Sequence, residues 1–344
     1  MKVLYLDTIV ESICLHKVGN KIADEGIKFS KKKLDIPEHL KNTLLKYFVN
    51  SFNSEELYTF CHNSDLSLNE VYFYCSKIFD SSDCIHEQSM NLAKHLYENS
   101  THPKIKMGEF YVVYFRNCII DHQYVDAIGI FKSENKETFL KICSKEDDFE
   151  IESDTGININ KLDKGCLIFN IEKENGYVVA IVDNTNKGSE AKYWTDDFLH
   201  VRSRKDSFNQ TQNMLSLCKS FVSQMPNVNG KIGKATFMNR SVEALKEESV
   251  NFDDFAEQVF ETPKLVSDFK HYKEIYQKER DIEIDDTFET APSAIKRRAT
   301  GTMTTIKLDK NFDINIHGGE QYVVRGYDEV RGMYYYQLFF KEER

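Results

Sequence analysis

The sequence predicts an α+β fold, in which an N-terminal mixed domain with helices and an antiparallel sheet leads through a helical connector to a small β-rich C-terminal module. Three observations support this prediction. Strand patterns follow one another between residues 109 and 184, helical spacing dominates 241–290, and strand patterns return after residue 296. Of the 344 residues, 41% are hydrophobic, which is enough for more than one core. The expected domains are 1–230, 231–295 and 296–344.

The opening third is predicted to mix strands and helices. Short apolar segments predict strands at 2–6 and 9–16. Apolar residues near helical spacing then predict three helices, and Asn63 or Ser64 is a candidate cap for the second. The helices are expected after Pro37, over 66–79 and over 86–100.

The central segment is predicted to form an antiparallel sheet. Residues 109–120 and 127–132 are rich in aromatic and β-branched side chains, which favour strands. Residues 166–184 form two apolar runs around Asn175-Gly176, a pair that favours the two positive-φ positions of a type I′ turn. A hairpin is therefore expected there.

A helix is predicted over 207–225, with Asp206 or Ser207 as its cap and Pro226 as its stop. The following segment, 241–290, is helical in pattern and carries 15 acidic against 6 basic residues. Its aromatic stripes are typical of a buried core face and not of a ligand site.

The C-terminal module is predicted to contain four strands, reached through a basic linker, SAIKRRATG. Asp309-Lys310-Asn311 and Gly318-Gly319 are the expected turns between them. The strand-like runs are TTIKL, DINIH, QYVVRGY and MYYYQLFF.

Eight cysteines occur without any CxxC pair, and several lie in apolar runs. They are therefore expected to be free, buried thiols in a reducing compartment. The cluster of Cys61, His62, Cys75, Cys84 and His86 matches no compact zinc spacing. We expect neither a metal site nor a cofactor.

The first ten residues, MKVLYLDTIV, contain Asp7, and Glu11 follows, so no continuous apolar segment of a signal peptide is present. No apolar run approaches the roughly 18 residues of a membrane span. The expected location is cytoplasmic, without membrane contact.

The charge of the chain reverses sign between His200 and Arg240. The whole protein has a formal net charge of −10, whereas this stretch carries seven basic residues and one acid, Asp206. A polyanion responds to local charge, so the stretch is a candidate phosphate-binding surface. Its candidate contacts are Arg202, Arg204 and Lys205 near a helix start and Lys231 and Lys234 in a glycine-containing loop.

Two further basic runs are weaker candidates. Lys296, Arg297 and Arg298 lie in the predicted linker, and Lys31, Lys32 and Lys33 lie beside a predicted turn. An alternative for the 200–240 cations stays open, because the acidic 241–290 segment that follows is well matched in charge to pair with them.

An enzymatic function is not expected. The sequence contains no GxxxxGK[ST], GxGxxG or GxSxG motif. Asp183, Glu190 and Lys192 loosely match the acid and lysine set of metal-dependent nucleases, but Gly188 favours a loop where a strand is needed.

The order of several segments and their local sequences resemble the 37 kDa nucleoid-associated protein family of bacteria. The resemblance is carried by LHKVGNK and EGIKFS near the start, by GSEAKYWTDDFL, VRSRKDSFNQT and LCKSFV in the middle, and by the tail ATGTMTTIKLDKNFDINIHGGEQYVVRGYDE. It implies association with the nucleoid through DNA, and it supplies no catalytic residues.

We therefore expect a protein that binds double-stranded DNA with little sequence preference, through cationic contacts to phosphates. The rival hypothesis is a protein-interaction scaffold that reaches the nucleoid through a partner. An acidic protein with local basic patches gains avidity by dimerising, so the sequence is also compatible with a homodimer and with protein partners.

Overall fold

A computed structural model describes residues 3–145, 148–185, 193–225, 230–280, 282–299, 305–308, 312–315 and 322–342. The chain folds as two compact units, Met1–Arg204 and Lys205–Arg344. Both helices and antiparallel sheets are present, which confirms the α+β prediction. The proposed domain boundaries stay a prediction.

The first unit is built on one large antiparallel sheet. In the described residues its strands run in the order β11-β4-β10-β9-β6-β5-β2-β3, and β1 also pairs with β5. The strands are β1 Val3–Leu4, β2 Ile9–Val18, β3 Ile27–Lys28, β4 Leu57–Phe60, β5 Gly108–Ile120, β6 Gln123–Ser133, β7 Glu137–Lys145, β8 Asp148–Gly156, β9 Lys164–Phe169, β10 Val178–Asp183 and β11 Val201–Ser203. Strands β7 and β8 pair with each other in a separate two-stranded sheet.

Helices cover both faces of this sheet. They are α1 Glu38–Val49, α2 Glu70–Asp80 and α3 Ile85–Asn99. On β5, Val112 and Tyr114 pack into the cluster that includes α2 and α3, whereas Val113 and Phe115 pack with Phe48 of α1. Alternate side chains of a strand point to opposite faces, so a doubly covered strand has to be apolar throughout. This explains why residues 110–115 of β5 are all apolar or aromatic.

Two local predictions for the first unit are wrong. Helix α2 is capped by Asn69, whose side chain accepts from the Tyr72 N–H, and not by Asn63 or Ser64. The hairpin β9–β10 pairs Phe169 with Val178, so a longer connection replaces the type I′ turn. It contains a short 3₁₀ turn, Lys173–Asn175, and Gly176 at φ 91°.

Gly176 is required by close approach as well as by its φ angle. A Cβ atom at this position would lie 2.3 Å from the carbonyl oxygen of Phe60. The sequence correctly marked a turn with positive φ, but the register of the strands decided its length.

The second unit has its own core of helices and short strands. Its elements are α4 Ser207–Gln224, α5 Gly230–Ala244, β12 Ser249–Asn251, α6 Phe252–Phe260, α7 Pro263–Arg280, β13 Thr287–Glu289, α8 Pro292–Ala299, β14 Thr305–Leu308, β15 Phe312–Asn315, β16 Val323–Asp328 and β17 Met333–Leu338. Strands β12 and β13, β14 and β15, and β16 and β17 form three separate pairs.

The aromatic stripes of the acidic segment form this core, as predicted. Phe260 and Phe269 lie with ring centroids 4.5 Å apart, and Phe221 of α4 packs against both. Helix α4 therefore packs with residues that the sequence assigned to the connector. Asp206 caps α4 by accepting from the Asn209 N–H, which confirms one of the two predicted caps.

Two basic segments differ from their predicted structure. Lys231 and Lys234 lie in helix α5 and not in a loop, while Lys296, Arg297 and Arg298 lie in helix α8 and not in a linker. Isolated glycines are tolerated in helices when neighbouring elements pack against them, and Gly233 is buried. Pro226 and the predicted C-terminal turns lie outside the described residues. No helix in the described part of the chain is long and apolar enough to span a bilayer.

Replacing Asn251 with alanine is expected to lower the free energy of unfolding by about 1 kcal/mol. Its side chain accepts from the N–H groups of Asp253 and Asp254 at the start of α6, and alanine leaves both donors without this partner. Urea unfolding followed by far-UV circular dichroism measures the change. Ser249→Ala, at an exposed position of the neighbouring β12, is the control and is expected to change little; equal losses in the two variants would contradict the capping role.

Candidate nucleic-acid interface

Arg202 is the most accessible of the predicted contacts that lie in the first unit. It lies on β11, an edge strand of the large sheet, opposite Thr59 of β4. Its side chain is exposed and forms no ion pair with a carboxylate of the described residues. The guanidinium is therefore available to an anion in solution.

Arg204 is bound within its own unit. Its guanidinium donates to the Glu172 carboxylate at 2.7 Å, and the side chain is only 20% exposed. Its backbone N–H donates to the carbonyl of Leu57. Arg204 therefore neutralises a neighbouring acid.

Lys205 begins the second unit and pairs with Glu283, and both side chains are more than 60% exposed. This pair holds the pKa of Glu283 below its usual value, mainly through the hydrogen bond from Lys205. Such exposed pairs contribute little to stability, so a phosphate can compete with the carboxylate.

The start of α4 does not offer the anion site that the sequence predicted. The carboxylate of Asp206 already accepts from the Asn209 N–H at 3.0 Å, so a fixed negative charge occupies the position of a bound anion. The cations near this helix are left to bind phosphate by themselves.

The remaining predicted contacts are distributed over two helices of the second unit. Lys234 donates to the carbonyl of Ser223 at 2.8 Å, and Lys296 is exposed. The side chains of Lys231, Arg297 and Arg298 lie outside the described residues.

The alternative hypothesis of internal pairing holds for part of the basic stretch. Lys205 pairs with Glu283, and Arg240 pairs with Glu261 at 2.9 Å, so two cations do bind the acidic segment. Arg204 pairs with Glu172 instead. The stretch is therefore not one uniform surface.

A pair of lysines that the sequence pattern did not single out lies at the other edge of the large sheet. Lys17 of β2 and Lys28 of β3 are exposed and directly opposite each other. Glu109, the neighbour of Lys17 on β5, already binds Lys136 at 2.7 Å. Within the described chain neither Lys17 nor Lys28 forms an ion pair.

This arrangement places unneutralised positive charge at an edge of the sheet. Like charges directly opposite each other destabilise a strand pair. The chain continues from Lys28 into an exposed bend with Lys31 and Lys32, so four cations lie on this edge and the bend beside it. Six lysines against two acids over 17–33 are a signal that a local charge count would have found.

Asp183, the first residue of the nuclease hypothesis, ends β10 as expected. Its carboxylate accepts from Lys164 at 2.9 Å and from the hydroxyl of Thr185 at 3.0 Å. Glu190 and Lys192 lie outside the described residues. No group of three His, Cys, Asp or Glu residues in the described ranges is arranged to hold a metal ion.

A buried histidine–serine pair also lies in the first unit. His16 Nδ1 accepts from the Ser30 N–H, which leaves the proton on Nε2 to be donated to Ser89 Oγ at 2.8 Å. Ser89 in turn donates to the carbonyl of His86. A histidine that donates to a serine cannot remove its proton, so this pair is structural and not nucleophilic.

Comparison with known protein families matches most of the chain to one family profile. Residues 14–331 match the profile of a family described as nucleoid-associated protein YejK. No curated protein matches the chain. The matched span includes each of the candidate contacts above.

Proposed function

Because the chain belongs to the family of nucleoid-associated protein YejK, we propose that it binds duplex DNA on the bacterial nucleoid, with little sequence preference. The contacts would be between exposed cations and backbone phosphates, which position a protein on DNA without reading its bases. The role is non-enzymatic and is carried out in the cytoplasm, where the nucleoid lies.

The observation that most directly supports DNA binding is the pair of Lys17 and Lys28, which no carboxylate of the described residues neutralises. Folding alone gains nothing from two ammonium groups opposite each other, whereas a phosphate between them would relieve their repulsion. Arg202, on the opposite edge strand, supports the same chemistry. Both positions are exposed and present charge to solvent.

The cations of the second unit are proposed as further contacts. Lys205 would exchange Glu283 for a phosphate, since the exposed pair is weak. Lys231, Lys234, Lys296, Arg297 and Arg298 would add phosphate contacts along α5 and α8. Arg204, bound to Glu172, would serve mainly to balance charge beside Arg202.

The experiment is a titration of a fluorescent random-sequence duplex with purified protein at several salt concentrations. Wild-type protein is expected to bind more weakly as salt rises, because each phosphate contact releases condensed counterions. The double variant Lys17→Ala/Lys28→Ala should bind more weakly and lower the salt slope by about 0.9 for each phosphate that it no longer neutralises. Removal of like charges relieves their repulsion across the strand pair, and far-UV circular dichroism of the variant checks that weaker binding does not come from unfolding.

Ile22→Ala is the matched control, because Ile22 is an exposed side chain of the same segment that carries no charge. Its salt slope is expected to equal that of the wild type. If the wild type does not bind duplex even at low salt, direct DNA binding is excluded and the scaffold hypothesis remains. If all three proteins share one slope, Lys17 and Lys28 do not bind phosphate.

A further inference from the structure

Strands β7 and β8 form a hairpin that, within the described residues, pairs with no other strand. An isolated two-stranded hairpin is only marginally stable in water, and stability requires a third strand or a packed face. Ion pairs such as that of Lys161 with Glu137 hold its base. Beyond this base, the described residues provide no third strand, so the hairpin needs another source of stability.

The two faces of the hairpin differ sharply. Ile142 lies opposite Ile151, and Leu140 and Phe149 share their face because alternate residues of a strand point the same way. These four apolar side chains are 67–72% exposed. The other face carries mostly charged residues, among them Lys141, paired with Glu152.

The apolar face is large enough for a specific interface. An aromatic side chain presents about 150–250 Å² when fully exposed and an aliphatic one somewhat less, so these four present on the order of 400 Å². Two such faces, together with the residues that flank them, would bury on the order of 1,000 Å², which is the area that a specific protein–protein contact has to reach. A contiguous apolar patch of this size is comparable to the largest one on a typical soluble monomer, and such patches often mark interaction sites.

We propose that this face binds the same face of a second copy of the chain, forming a symmetric dimer. The face carries no charge, so two copies can meet without repulsion. Hydroxyl groups flank it, and a hydroxyl both donates and accepts, which makes the rim complementary to itself. The flanking residues are Thr138, Ser144, Ser153 and Thr155. A twofold contact of one patch with itself is the commonest form of homo-oligomer.

Sedimentation equilibrium over a range of concentrations tests the proposal, and the solutions contain no DNA, so the outcome is independent of the proposed function. The wild type is expected to approach twice the 40.2 kDa of one chain, with dissociation in the micromolar range for an interface of this size. The double variant Ile142→Glu/Ile151→Glu should have an association constant at least about a hundredfold lower, because dimerisation would bury unpaired charges.

Leu68→Glu is the control, since Leu68 is an exposed apolar residue of the same unit outside the hairpin. It should dimerise like the wild type. If the glutamate variant fails to fold, Ile142→Thr/Ile151→Thr keeps strand propensity and should still weaken association. A wild type that stays monomeric, or hairpin variants that dimerise as it does, would overturn the proposal.

Discussion

Replacing Asp183 with asparagine is expected to destabilise the first unit by about 3–5 kcal/mol. Lys164 and Asp183 are opposite each other on β9 and β10, with Nζ 2.9 Å from the carboxylate. The Lys164 side chain is fully buried and that of Asp183 is 10% exposed. The variant would leave a buried ammonium without its counter-charge, and this cost exceeds the value of the pair itself.

The measurement is urea unfolding followed by tryptophan fluorescence. Trp194 is the single tryptophan of the chain and is buried in the core of the first unit, so its emission reports that unit. Asp80→Asn, which breaks an exposed pair with Lys173 in the same unit, is the control and should have a much smaller effect.

The double variant Lys164→Met/Asp183→Asn separates the cost of an unpaired buried charge from the contribution of the ion pair itself. It removes the buried charge together with its partner and is expected to recover much of the stability that the single variant loses. If Asp183→Asn were no worse than Asp80→Asn, Asp183 would not serve the fold, and its place in the nuclease hypothesis would need to be tested by DNA cleavage with Mg²⁺.

Acidification is expected to cost the protein up to about 3 kcal/mol through His16 alone. Burial lowers the pKa of His16 to about 4, and the nearby His86 acts in the same direction. The ring is 2% exposed, and its two nitrogens bond Ser89 and the Ser30 N–H only in the neutral form. Folding therefore favours neutral His16.

The sign of the pH dependence follows from the two pKa values. The unfolded chain binds this proton below about pH 6.5, whereas the folded chain binds it only below about pH 4. Stability from neutral His16 is complete above the unfolded value and is lost as the pH falls through this window.

Unfolding free energies of wild type and His16→Gln, measured by urea titration across this window, isolate the effect. Carboxylates titrate in both proteins, so their contribution cancels in the difference. The destabilisation of the wild type on acidification should exceed that of the variant, because glutamine keeps a donor and an acceptor but does not ionise. Parallel curves would show that His16 is not held neutral.

Much of the fold could be predicted because the spacing of apolar residues along the sequence reflects which side chains are buried. The apolar run of β5 and the two aromatic stripes that contain Phe260 and Phe269 were visible in the sequence, and all of them lie in cores. The errors occurred where packing overrode local composition. Gly233 indicated a loop but lies in α5, and basic composition indicated a linker where α8 forms.

The candidate interface was predictable only as a region of charge. The stretch 200–240 was correctly recognised as basic, but its residues have different surroundings: Arg202 faces solvent, Arg204 binds Glu172, and Lys205 binds Glu283. Lys17 and Lys28 were not singled out because they lie apart in the sequence. They become neighbours only when β2 pairs with β3.

The order and spacing of residues were enough to establish the fold class, the principal helices and sheet strands, the free cysteines and the resemblance to one family. Apolar periodicity and the order of motifs are properties of the chain, so they can be read without coordinates. Which charges are neutralised, and which apolar face is left uncovered on β7 and β8, became visible only in the folded protein. Ion pairs and exposed faces depend on residues far apart in the chain, and their register is set by the packing of the whole sheet.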